Sequence, residues 1–252
     1  MLRDDMARQG HWLFSWRSYL PLIIIPAAIT IFPQSGWMTD LLGKPFEEAY
    51  DISCFILALA GIAVRVLTVG FVPAGTSGRN TRTQRADALN TTGMYSLVRH
   101  PLYFANFLIF LGVILTIKSM LFTLFASCAY LLYYERIMLA EEQFLDQRYG
   151  EMYRRWAAGT PAFLPRLTGW IAPALPFSWR TALRREFHGV LLLATLFLGS
   201  ELAEAVVVDG HSFADALAHE WGWVALFAAC AVFYGTVRTM KKRTRWLDVA
   251  GR

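Results

Sequence analysis

Residues 93–103 read Gly-Met-Tyr-Ser-Leu-Val-Arg-His-Pro-Leu-Tyr, and a paired carboxylate, Glu141-Glu142, follows further along the chain. Each group borders an apolar segment long enough to enter a membrane. Charge is excluded from membranes, so these residues need a polar partner. Pro101 suits the first position of a helix, where its missing N–H would be unpaired anyway. Arg99 and His100 then stand at a helix mouth. Free N–H groups and the helix dipole favour an anion there, such as a carboxylate. Tyr103 lies three residues beyond His100 on the same helical face. A snorkelling interfacial cation would account for Arg99 alone. It does not account for Arg99, His100 and the acids together.

A second charged group, Glu135-Arg136, precedes the acid pair. Ionisable residues at membrane depth are functional candidates. Beyond it, Leu145, Tyr149, Tyr153 and Trp156 recur at helical spacing, which predicts the apolar stripe of an amphipathic helix lying on the membrane surface. Gly150 is expected to bend or break that helix. Pro73–Thr92 is rich in Gly, Ser, Thr and Asn and reads as a long loop.

The elements that position these residues are apolar helices. Of 252 residues, 56% are hydrophobic and 17% are charged, well below the quarter usual for soluble domains. Six spans are expected: Arg17–Pro33, Ile52–Val72, Pro101–Ile117, Ser119–Met138, Phe187–Val208 and Trp221–Val237. Pro21 and Pro26 weaken the first. Only Lys118-Ser119 joins the third and fourth, which predicts a tight hairpin. Segments 73–100, 139–186 and 238–252 carry net charges of +3, +2 and +5, whereas 35–50 and 199–220 carry −2 and −5. In the six-span arrangement every basic segment falls on one side. The positive-inside rule then places both termini and the Arg99–Glu142 region in the cytoplasm, in a bacterial inner membrane or one of endoplasmic-reticulum type. Eight of the nine tryptophans sit at or beyond span ends, as an aromatic belt does. No cleavable leader pattern precedes the first apolar run. Basic charge therefore reads as topology, and no nucleic-acid partner is expected. Cys54, Cys128 and Cys230 lie isolated in apolar runs. The five histidines lack ligand spacing, so no metal site is expected. Glu201 and Glu204 read as interfacial charges.

Taken together, Gly93-x-Tyr95-x3-Arg99-His100-Pro101-x-Tyr103, Arg136-x4-Glu141-Glu142-x2-Leu145-x3-Tyr149-Gly150-x2-Tyr153-x2-Trp156 and Pro161-x3-Pro165 resemble the isoprenylcysteine carboxyl methyltransferase family and the related phospholipid methyltransferases. The resemblance covers about Leu89–Pro165, with a weaker likeness at Gly61-x3-Arg65. It implies an all-α polytopic membrane protein that moves a methyl group from S-adenosylmethionine to a lipidic or prenylated acceptor. It further implies that Leu89 and Tyr95 line the cofactor. His100 and Pro101 hold its methionyl end, Tyr103 also contacts the cofactor, and Glu141 and Glu142 hold its amino or ribose groups. Arg136 becomes the substrate-facing cation, with Arg99 beside the reacting groups. Met94 departs from the family's frequent proline. Asp87, Ala88 and Asn90 depart from the carboxyl methyltransferase pattern. The division expected is 1–72 as a two-span segment, 73–165 as the methyltransferase core and 166–252 as a two-span extension. A phospholipid amine N-methyltransferase, an NADPH-dependent sterol-type reductase and a small transporter or scaffold are the rival readings.

Overall fold

The computed structural model describes residues 2–17, 19–73, 75–76 and 86–252, and these residues are helical throughout with connecting turns. The helices are α1 (Leu2–Trp16), α2 (Ile25–Ile31), α3 (Trp37–Leu42), α4 (Lys44–Phe71), α5 (Met94–Leu97), α6 (Pro101–Leu115), α7 (Met120–Tyr149), α8 (Glu151–Gly159), α9 (Trp179–Val207), α10 (Phe213–His219) and α11 (Trp221–Arg243). Most of the loop expected at Pro73–Thr92, with Arg79, Arg82 and Arg85, lies outside the described residues.

Among the described residues four helical stretches are long and apolar enough to cross a membrane: Leu22–Leu42, Lys44–Phe71, Trp179–Val207 and Trp221–Arg243. The expected span at Arg17–Pro33 is displaced and broken. Pro21, Pro26 and Pro33 each stand at the start of a new short piece, two of them 3₁₀ turns. A proline has no N–H to extend the helix before it. The span expected at Ile52 begins eight residues earlier, at Lys44, behind a turn at Gly43 and with Pro45 in its first turn. This extension takes Glu47 and Asp51 into the helix, both buried. Helix α6 has only 15 residues, fewer than the roughly 20 of a full crossing. Helix α7 runs 30 residues without a break and carries its apolar half into the charged Glu135–Arg148 half.

Helices α4 and α6 pack closely because small residues face each other. A side chain at Gly61 would meet the Ala105 carbonyl at 2.6 Å, and one at Gly112 would meet the Cys54 carbonyl at 2.6 Å. Small residues of this kind let backbones approach inside membranes. Cys54, Ala58 and Ile62 of α4 form the core with Leu193 and Phe197 of α9. Helix α1 lies along α7, with Gly10 against the Arg136 carbonyl and Phe14 packed on Tyr130, Tyr134 and Ile137.

At the α6–α7 turn, Lys118 is fully buried and has a left-handed backbone (φ 54°). Its ammonium meets Glu47 at 2.7 Å, Asp51 at 3.2 Å and Glu204 at 2.6 Å. The hairpin tip is thereby tied to α4 and α9. Burial alone would lower the Lys118 pKa, but the three carboxylates outweigh it and hold the group above its ordinary value. Glu204, expected as an interfacial charge, is instead buried as a counter-ion.

Candidate functional site

The site is assembled at the start of α6. Gly93 adopts φ 60°, a conformation that glycine reaches without a Cβ clash, and so turns the chain into the short helix α5. The 93–100 stretch is then braced by the segment after α8. Gly93 donates to Ile171 O (2.8 Å), Arg99 to Pro161 O (2.8 Å) and His100 to Ala162 O (3.2 Å), while Arg166 donates back to Leu97 O (3.1 Å). His100 forms the N-cap of α6, immediately before Pro101. Its ring is therefore fixed at a helix mouth by backbone on both sides.

Two carboxylates from α7 close on that ring. His100 Nε2 lies 3.1 Å from Glu142 Oε1, and Nδ1 lies 3.5 Å from Glu141 Oε2. The Tyr103 hydroxyl donates to Glu141 Oε1 at 2.5 Å, and its ring stacks on His100 with centroids 5.7 Å apart. Arg99 Nε is 3.4 Å from Glu142 Oε1. The expected grouping of Arg99, His100, Tyr103, Glu141 and Glu142 is present as one cluster. Tyr95 borders it: burial, then the Glu141 charge, push its phenol upward. Its carbonyl accepts from Trp156 Nε1 at 3.1 Å. Leu89 is half-buried in the segment leading to Gly93.

Burial opposes charge on His100, but its hydrogen bonds to Glu141 and Glu142, and their charges, raise its pKa. Burial likewise opposes charge on Glu142, yet His100 and Arg99 lower its value. Because the His100 value is raised, its stabilisation is complete below the ordinary histidine value of 6.5 and is lost as pH climbs through the folded value. Glu142 behaves in the opposite sense: its stabilisation is complete above 4.5 and is lost as pH falls through its lowered value. The stability gap between the wild type and His100→Gln is therefore expected to be widest between these two values and to shrink on both sides. Melting curves across pH check this, and a pH-independent gap would contradict it.

The other expected residues fall elsewhere. Arg136 Nε donates to Gln9 of α1 at 3.0 Å and Nη1 donates to Leu132 O of its own helix at 2.7 Å, so it belongs to the α1–α7 contact. Glu135 is exposed. The stripe at Tyr149, Tyr153 and Trp156 faces the protein. Helix α7 ends at Tyr149, Gly150 turns the chain with φ 52°, and α8 follows. The Tyr149 hydroxyl donates to Ala86 O at 2.8 Å, Trp156 reaches Tyr95, and Tyr153 is 5% exposed. These polar-tipped aromatics latch α7 and α8 to the 86–100 segment. Periodicity correctly placed them on one face but gave the wrong neighbour for it.

Tyr153 is thus a site residue that the sequence reading missed. Its hydroxyl and Arg99 Nε both face Glu142, yet neither completes a hydrogen bond. Buried polar atoms without partners are costly, and such atoms around a polar cluster are where a ligand's own polar groups fit. An open cleft of about 600 Å³ adjoins Trp156, lined also by Thr91, Glu151, Met152 and Arg155.

Comparison with known proteins fits this geometry. Residues 54–152, which hold all of α6 and α7 with Arg99, His100, Tyr103, Glu141 and Glu142, match the family described as phospholipid methyltransferase. The chain is 31% identical over 160 residues to the cobalt-zinc-cadmium resistance protein CzcN of Cupriavidus metallidurans. It is 33% identical over 160 residues to the nickel-cobalt-cadmium resistance protein NccN of Alcaligenes xylosoxydans xylosoxydans. Each match covers 63% of this chain and spans just under two thirds of the relative, 65% and 66% respectively. No solved structure matches. The likeness to the phospholipid methyltransferase family is thus confined to residues 54–152, the segment that carries the Arg99–Glu142 cluster.

Proposed function

We propose that this protein is a membrane-embedded methyltransferase that uses S-adenosylmethionine and methylates a lipidic acceptor. The observation that carries the reading is a buried His100 clamped between Glu141 and Glu142 at the mouth of α6, inside the family segment. The residues suit the cofactor's chemistry. Arg99, His100 and the α6 N-terminus would take its carboxylate, and Glu141 and Glu142 its amino and ribose groups. Tyr95 and Leu89 would line its remaining surface, and the incomplete hydrogen bonds at Tyr153 and Arg99 provide two further contacts. When bound, the cofactor supplies an electrophilic methyl group on sulfur.

Methyl transfer is an in-line displacement: a bond forms from the acceptor to the methyl carbon as the carbon–sulfur bond breaks. Alignment supplies most of the rate effect. The chain's contribution is a rigid frame in which the 161–171 brace holds α5 and the His100 cap, and α7 brings the acids. A carboxylate acceptor of the isoprenylcysteine type needs no base. A phospholipid amine must arrive without its proton. The proposed setting has the site at the cytoplasmic face, with lipid entering sideways from the bilayer. The resistance named in the relatives is not carried over to this chain.

The test uses the purified full chain in nanodiscs. Calorimetry with S-adenosylmethionine should show binding, and incubation with methyl-labelled cofactor and total lipid extract should place label in a lipid identified by mass spectrometry. Absence of both binding and label sinks the proposal.

A further inference from the structure

Arg65 and Glu186 form a polar layer one step deeper than the His100 cluster. Arg65 lies near the end of α4, Asn106 near the start of α6 and Glu186 near the start of α9, each roughly 7–11 Å from its helix end. These ends lie together: Ser178, just before α9, donates to Gly70 O near the end of α4 at 2.9 Å. Arg65 Nε and Nη2 donate to the two Glu186 oxygens at 2.6 and 3.1 Å, and Nη1 donates to Asn106 Oδ1 at 2.5 Å. Tyr134 neighbours both Asn106 and Arg65, and its ring lies 5.0 Å from Tyr103, which holds Glu141. A pair of packed tyrosine rings thus links the His100 cluster to the Arg65 layer.

The geometry of the fork is the informative feature. Arginine has five N–H donors. Glu186 occupies the Nε–Nη2 side and Asn106 takes one Nη1 hydrogen. One N–H on each terminal nitrogen stays uncommitted in the contacts just described. The Arg65 side chain keeps 19% of its surface exposed, against 5% for Glu186. An arginine fork of this kind matches a carboxylate or phosphate through two parallel hydrogen bonds. Arg136, by contrast, is engaged with α1.

We propose that Arg65, oriented by Glu186 and Asn106, is the anchor for an oxyanion in the acceptor's head group, a carboxylate or a phosphate monoester, at the level of Tyr134. This rests on the methyltransferase reading and supplies its acceptor end. Glu186 is a positioning residue. It neutralises Arg65 when no acceptor is present, which lets the pair sit at membrane depth. Because Glu186 lies beyond the 54–152 match, the C-terminal helices complete the acceptor site.

An ion pair that only staples helices would look similar, so the test must separate the two roles. The full chain is placed in phosphatidylcholine nanodiscs, with oleate as carboxylate probe and dioleoyl phosphatidate as phosphate probe. Thermal stabilisation by each probe is measured for wild type, Arg65→Lys, Arg65→Gln and the swap Arg65→Glu/Glu186→Arg, and cofactor affinity is measured by calorimetry in parallel. The wild type should be stabilised by at least one probe, and which one identifies the head-group class. Half-saturation should rise about tenfold or more in Arg65→Gln and less in Arg65→Lys. The swap should recover basal melting temperature but not the probe response, with cofactor affinity unchanged throughout. A swap that recovers both, or an Arg65→Gln response equal to wild type, overturns the anchor role. Loss of cofactor binding in the wild type itself would mark failure of the methyltransferase reading instead.

Discussion

Lys118→Met is expected to leave the protein too unstable to accumulate as a folded species. The substitution fits the space but removes the cation on which Glu47, Asp51 and Glu204 converge. Breaking a buried ion pair by deleting one partner costs about 3–5 kcal/mol, and here three carboxylates lose their shared partner. The left-handed backbone at Lys118 works against the lysine by about 1–2 kcal/mol, a cost methionine would share, so relief of strain gives no compensation. The control is Lys118→Met combined with Glu47→Gln, Asp51→Asn and Glu204→Gln. Neutralising the three acids removes the uncompensated buried charges, so this variant should melt well above Lys118→Met. Melting in detergent decides the matter. A single variant within a few degrees of wild type would show that the cluster contributes little.

His100→Ala is expected to weaken S-adenosylmethionine binding by about two orders of magnitude, since truncating one member of a buried charged pair costs 2–5 kcal/mol or more. One effect opposes this. Without His100 the two acids carry more net negative charge and attract the cofactor's sulfonium. That attraction amounts to about 1 kcal/mol at 4 Å in water-like surroundings, and several if the site is drier. Loss of the contact to the cofactor carboxylate and of position for Glu141 and Glu142 is set against it, and is expected to outweigh it. His100→Gln keeps a hydrogen-bonding group and should fall between the two. Calorimetry gives the answer directly: unchanged affinity in both variants would remove His100 from the cofactor site.

The two variants also mark what could be read from sequence. Arg99, His100, Tyr103, Glu141 and Glu142 were legible because short-range rules suffice. A proline fixes the helix start, three-residue spacing sets a face, and one hairpin returns the acids. The Lys118 and Arg65 clusters were not legible because their partners lie 71, 86 and 121 residues away. Nothing local marks Lys118 as buried rather than as a turn residue in water. The span expected from Ile52 left Glu47 and Asp51 outside the helix, because their pairing with Lys118 is tertiary. The Tyr149–Trp156 stripe shows a subtler limit. Spacing says which residues share a face, but tyrosine and tryptophan tips serve equally at a bilayer surface or against backbone carbonyls.

Chain order gives the Lys118 cluster a direction in time. During synthesis Lys44, Glu47, Asp51 and Lys118 are all made before α9, so two ammonium groups already face two carboxylates when the α6–α7 hairpin closes. Glu204 and Asp209 come last, and each finds a lysine already in place, Lys118 at 2.6 Å and Lys44 at 3.9 Å. The early helices thus offer the late one a prepared socket whose two ammonium groups are already in place. A ribosome-stalled chain ending before α9 should hold its hairpin yet still accept α9 supplied as a separate polypeptide.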